Sequence, residues 1–195
     1  SLRGDRRYIV FLILVFLCAF PNKLAIPLEP IWFVDELHID YHQAGFVLGT
    51  VASIASIAGY LLWGRLTRSR NPLPLLVIDL VLFVVRYPIL ALARAPGHLA
   101  FASVLSGFAS PGFELVMLFS VMHLSRGRSF ALAMGLHSAF VGIRGLVGPA
   151  VGTFLYATLG VPIAAIFWGI AAATAVGVVA LALFVARVPH TETSA

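Results

Sequence analysis

Charge is scarce in this chain. Of its 195 residues, 11% are Asp, Glu, Lys or Arg and 61% are hydrophobic, against roughly 25% charged in soluble domains. That balance excludes water as the main solvent and leaves the bilayer. Polar stretches are scarce too: no linker, low-complexity tract or second domain separates the apolar runs, so residues 1–195 are expected to form one bundle. Cysteine occurs once, as Cys18 inside an apolar run, which excludes an intramolecular disulfide and reads as packing. There is no Gly-x-Ser-x-Gly and no HExxH, and His123 and His137 stand fourteen apart with no carboxylate placed to complete a site. Membrane chemistry needs an embedded nucleophile with its base or a metal cluster, so neither an enzyme, a metal nor a cofactor is expected. A formal charge of +5 without a basic stripe of interleaved aromatics excludes a nucleic-acid partner.

What remains is a series of long apolar runs. A span needs roughly 20 residues, so this length accommodates six and little else. The runs predict helices at about Tyr8 to Val34, Ala44 to Trp63, Leu73 to Ala93, Leu99 to Leu124, Ser129 to Tyr156 and Val161 to Ala186. The first is too long for a cleaved leader and is expected to be retained. Three polar breaks stand out: Asp35 to Asp40, Arg65 to Asn71 and Arg126 to Arg128. If the chain crosses at every run, one side collects Arg3, Arg6, Arg7, Arg65, Arg68, Arg70, Arg126, Arg128 and Arg187, and the other only Arg94. Basic loops stay in the cytoplasm. The expectation is an all-α integral membrane protein of six helices with both termini cytoplasmic, in a plasma membrane such as the bacterial inner membrane.

Lys23, Asp79, Arg86, Glu114 and Arg144 fall inside the runs. Each costs about 2.5–3.5 kcal/mol at a helix centre, so each must face the bundle interior, a watery cavity or a partner charge. At 1.5 Å per residue from the cytoplasmic end, Lys23, Arg86 and Arg144 lie roughly 20–23 Å deep, Glu114 about 15 Å and Asp79 about 10 Å. Lys23, Glu114 and Arg144, with Asn22 and His137, are the candidate cavity-lining residues. Asp79 and Arg86 are seven apart, two turns on one face, and are expected to form an internal structural pair. His137 and Arg144 repeat that spacing, and packing or lining a pathway are both open for them.

The first run carries Pro21, Asn22, Lys23, Pro27 and Pro30; the fourth carries Gly107, Pro111, Gly112 and Glu114. Interrupted helices at matching positions of two repeats point to a transporter binding site. The second and fifth runs instead carry small residues at intervals of three and four, Gly45, Gly49 and Ser53 on one and Gly145, Gly148, Pro149 and Gly152 on the other. Such faces let helix backbones approach closely.

Three segments carry a family resemblance. Gly64, Arg65, Leu66, Thr67, Arg68, Ser69 and Arg70 resemble the cytoplasmic loop motif between the second and third helices of a major facilitator superfamily half. Gly145 to Thr153 is similar to the Gly-Pro motif of the fifth helix of a half. Ala25 to Leu28, with Val34 to Leu37, resembles the end of the first helix of a C-terminal half. The resemblance implies a 3+3 inverted-repeat bundle in which helices one and four line the cavity, two and five line the interface between halves, and three and six face outward.

It also implies alternating access against a second six-helix bundle, for which the small-residue faces are the candidate interface. The partner is either the N-terminal half of the same transporter, the chain then being its C-terminal half, or a second copy of a half-length protein. The expected function is transport of a small anionic or zwitterionic solute; protons are a candidate partner, and the sequence does not name the coupling ion. A non-transporting membrane subunit or assembly factor that keeps the fold is the alternative.

Overall fold

A computed structural model describes residues 2–124 and 130–187. Arg126 and Arg128, expected in a cytoplasmic loop, lie outside the described residues. Six helices are long and apolar enough to cross a membrane: Arg6–Glu36, Tyr41–Ser69, Pro72–Ala91, Pro96–Leu124, Phe130–Ala157 and Ile163–Ala186. Five of them keep close to their expected bounds. The second does not: Arg65, Thr67, Arg68 and Ser69, expected in a polar break, complete its last turns. The Thr67 hydroxyl donates back to the Trp63 carbonyl at 2.8 Å, and Arg68 complements the negative end of the helix dipole. The break shrinks to Arg70 and Asn71. Asn71 caps the third helix, its Oδ1 accepting from the Leu73 amide at 3.0 Å, and Pro72 follows where a missing N–H costs nothing.

Prolines act differently on the first and fourth helices. The first is α-helical to Leu24, turns over Ala25 to Pro27, resumes at Leu28–Ile31 and widens into a π-helix at Trp32–Glu36. Across the turn the Ala25 carbonyl accepts from both Leu28 and Glu29 at 2.9 Å, since Pro27 and Pro30 offer no N–H. The fourth was expected to be interrupted at Pro111 as well, yet it runs unbroken from Pro96 to Leu124. The Gly107 carbonyl, freed because Pro111 has no amide hydrogen, accepts instead from the Ser56 hydroxyl at 2.9 Å, and the next carbonyl, Phe108, accepts from the Trp63 indole at 3.1 Å. Side chains of the second helix thus repair the fourth. The second helix has its own π segment, Phe46–Val51, so the two π segments flank the connection at Leu37–Asp40, where His38 adopts a positive φ of 52°.

The principal pairings run second to fourth, fourth to third, third to sixth, sixth to first and first to fifth. Exchanging first with fourth, second with fifth and third with sixth reproduces the same set, as the 3+3 repeat requires. Glycines follow that symmetry. Gly59 and Gly107 allow the second and fourth helices to touch, a Cβ on Gly107 colliding with the Ala52 backbone. Gly148 and Gly152 do the same for the fifth and first, where a Cβ would strike Lys23 and the Leu24 carbonyl.

This corrects part of the expected interface: Gly148 and Gly152 face the first helix within the bundle, with Pro149 half-buried beside them. Gly45, Gly49 and Gly145 have nothing within 4 Å of a Cβ position, and Ser53 is exposed. Cys18 packs against Gly177 of the sixth helix, as its apolar surroundings implied.

Two apolar clusters fill opposite ends of the bundle. One gathers Tyr8, Phe11, Leu76, Leu80, Met117 and Leu181; the other gathers Leu28, Phe33, Leu90, Leu99, Phe167 and Ile170. The charged side chains of the cavity lie where these clusters meet.

Candidate functional site

The helix pairings leave one face of the bundle open, and a cavity of about 740 Å³ lies there. Its walls come from the first, third, fourth and fifth helices, with Leu48 from the second. Asn22, Lys23, Glu114, His137 and Arg144 all line it, so the five residues singled out by depth and residue type converge on one space.

Each arrives there for a local reason. Lys23 sits just before the proline turn of the first helix, its stem against the bare backbone of Gly148. Gly148 is one turn beyond Arg144, so the two cations approach from facing helices. Arg144 is 7% exposed; its guanidinium lies 4.9 Å above the Phe113 ring, and its Nε has no hydrogen-bond partner within the protein. Such stacking contributes about 0.5–2 kcal/mol, well below the cost of a buried cation with no counter-charge. Among the described residues no carboxylate lies within 4.0 Å of Lys23 or Arg144. Glu114 is exposed toward the cavity, where the Tyr60 hydroxyl donates to its Oε2 at 2.8 Å.

Arg86 also reaches the cavity, but not as Asp79's partner. Its Nη2 meets Glu29 Oε2 at 2.5 Å, its Nε donates to the Ala102 carbonyl at 3.2 Å, and its Nη1 donates to the Tyr87 hydroxyl at 3.4 Å. The Tyr87 hydroxyl donates in turn to the Asn22 carbonyl at 3.3 Å. One guanidinium therefore ties together the first, third and fourth helices. The expected Asp79–Arg86 pair is replaced because two turns separate these residues by about 10 Å along the axis, whereas Glu29 arrives opposite Arg86 from another helix. Asp79 is instead fully buried beside Gly112 and Trp63, and neither of its oxygens has a hydrogen-bond partner.

Sequence reasoning missed Glu29, Tyr60 and Tyr87. Glu29 carried a signal, a carboxylate between two prolines inside an apolar run. The tyrosines carried none, since an aromatic on an apolar helix is ordinary packing until a partner is known.

Chemically the site is a basin with two cations that make no ion pair within 4.0 Å among the described residues, one hydrogen-bonded carboxylate, a histidine and an apolar floor that includes Phe83, Met117 and Met134. It can hold a solute and orient it by charge. An apolar six-helix bundle with internal repeat symmetry and a cavity into which charged side chains converge fits a membrane transporter fold. The sequence profile of the Major Facilitator Superfamily matches residues 11–195, and the chain belongs to that family of membrane transporters. No curated protein matches it.

Proposed function

We propose that this bundle is half of a secondary transporter that carries a small anionic or zwitterionic solute by alternating access, its open cavity completed by a second six-helix bundle. The observation that carries the reading is the convergence of Lys23 and Arg144 on one cavity, with no carboxylate within 4.0 Å of either among the described residues. Two cations held in a low-dielectric wall attract an anionic group, and the forked guanidinium favours a carboxylate or phosphate over a spherical ion. Glu114, held by Tyr60, offers an acceptor for an ammonium or hydroxyl on the same solute.

The second and fifth helices, of whose apolar stretches only 11% is buried against 33–44% for the other four, supply the surface for the partner bundle. Gly45, Gly49, Ser53 and Gly145 allow its backbone to come close. The partner is the N-terminal half of the same transporter or a second copy, and the arginine asymmetry supports cytoplasmic termini in a plasma membrane such as the bacterial inner membrane.

The test is uptake by the full assembly in proteoliposomes, with a panel of labelled carboxylates, amino acids, sugars and organic cations. Uptake of members of the first two classes, lost on Lys23→Met or Arg144→Leu, is the expected result. Uptake confined to sugars or cations, or untouched by both variants, overturns the assignment.

A further inference from the structure

The charges of the cavity are divided between two helix pairs. Lys23 and Arg144 come from the first and fifth helices, which pack on each other through Gly148 and Gly152. Glu114 comes from the fourth, which packs on the second through Gly59 and Gly107, and the second supplies the Tyr60 hydroxyl that donates to it. In the run of pairings, second, fourth, third, sixth, first, fifth, these two pairs are the ends. A cation pole and an acid pole therefore stand on supports that the repeat symmetry exchanges, with the third and sixth helices between them. Among the described residues the poles do not close on each other, since no ion pair within 4.0 Å joins Glu114 to Lys23 or Arg144.

Beside this charged level lies an apolar one. Phe83, Met117 and Met134 line the cavity, and all three belong to the apolar cluster built on Tyr8 and Leu76. Each stands one helical turn from a polar lining residue: Phe83 from Arg86, Met117 from Glu114 and Met134 from His137. The two methionines can mould to apolar bodies of different shape. Arg86 and Glu29 neutralise each other and leave the poles to set the charge pattern. A simple anion would satisfy the cations and leave Glu114 without a counter-charge, a second anionic group would meet Glu114 with repulsion, and a simple cation would meet Lys23 and Arg144.

We propose that the cavity selects a zwitterion with its carboxylate and ammonium at one end and an apolar body at the other, an amino acid with an apolar side chain being the simplest such solute. The carboxylate meets Arg144 and Lys23, the ammonium meets Glu114, and the body lies over Phe83 and Met134. Tyr60 is a positioning residue that holds the Glu114 carboxylate. The inference rests on the transporter reading above and narrows its solute.

Uptake of labelled leucine by the full assembly in proteoliposomes tests the poles, with isocaproate, which lacks the ammonium, and isoamylamine, which lacks the carboxylate, as competitors. Leucine is expected to be taken up and each analogue to compete about tenfold or more weakly, since each forfeits a charge-assisted contact. Glu114→Gln should close the gap between leucine and isocaproate and leave the gap to isoamylamine open. Tyr60→Phe should raise the KM for leucine with little effect on the maximal rate. Because Glu114→Gln can fail to assemble, competition in the wild type decides by itself.

A series of glycine, alanine, leucine, serine and aspartate tests the apolar level. Affinity is expected to rise from glycine through alanine to leucine and to fall for serine and aspartate, and Phe83→Ala with Met134→Ala should weaken leucine more than glycine. Isocaproate taken up as well as leucine, or a preference for serine or aspartate, overturns the inference while uptake that depends on Arg144 leaves the transporter reading intact. Failure to take up any carboxylate or amino acid overturns both.

Discussion

Arg86 and Arg144 show how one residue type takes two roles in a single cavity. Arg86 has a carboxylate, a carbonyl and a tyrosine around it. Arg144 has an aromatic face and no acceptor for its Nε. The first is a bolt. Removing one partner of a buried pair leaves the other charge stranded, so Arg86→Leu is expected to destabilise the bundle by about 3 kcal/mol, read as a fall in detergent unfolding midpoint. Glu29→Gln should cost less, and the double variant should recover part of the loss. Arg144 is free to meet a solute, so Arg144→Leu should leave that midpoint near the wild-type value while abolishing uptake. Arg144→Lys should fail to restore it, since an ammonium has no fork.

Lys23, Glu114 and Arg144 were legible in the sequence because charge inside an apolar run has few places to go; Glu29 followed the same rule and was missed. How charges pair was not legible. Spacing along one helix places Asp79 and Arg86 on a common face but says nothing of the carboxylate that a neighbouring helix brings opposite.

At the scale of elements, what a proline does depends on which neighbour can answer it. Pro111 leaves the fourth helix unbroken, with Ser56 and Trp63 taking up the exposed carbonyls. Ser56→Ala is expected to cost about 1 kcal/mol and to increase hydrogen exchange at the amides flanking Pro111. Pro27 and Pro30 leave the first helix turned and π-wound, with Glu29 pinned to Arg86 at the break. Apolar run length revealed six helices, but the response to each proline was out of reach because it lies in another helix's side chains.

Glycine stripes read the same way. Period three and four marks a packing face without naming the surface it packs on. Gly148→Leu or Gly152→Leu should disrupt the bundle itself, since each forces a side chain into the backbone of the first helix. Gly49→Leu should leave the bundle folded and lower its yield in the assembled complex on size-exclusion chromatography.

For the whole molecule, the helix pairings close on themselves under exchange of the two three-helix repeats, and the cavity they leave open is lined by Lys23 and Arg144. In the proposed reading, a second bundle closes this open cavity between the two sparsely buried helices. Arg65, Arg68, Arg70 and Arg187 are exposed at one end of the bundle and Arg94 at the other. Cysteines at position 68 should therefore resist a membrane-impermeant reagent applied from outside, and cysteines near Asp40 should react. The measurement that bears most directly on the account is the native mass of the transport-competent particle in mild detergent. The account predicts two six-helix bundles, covalently continuous or paired, and no uptake by a particle containing one. A stable single bundle that catalyses uptake in proteoliposomes would contradict it.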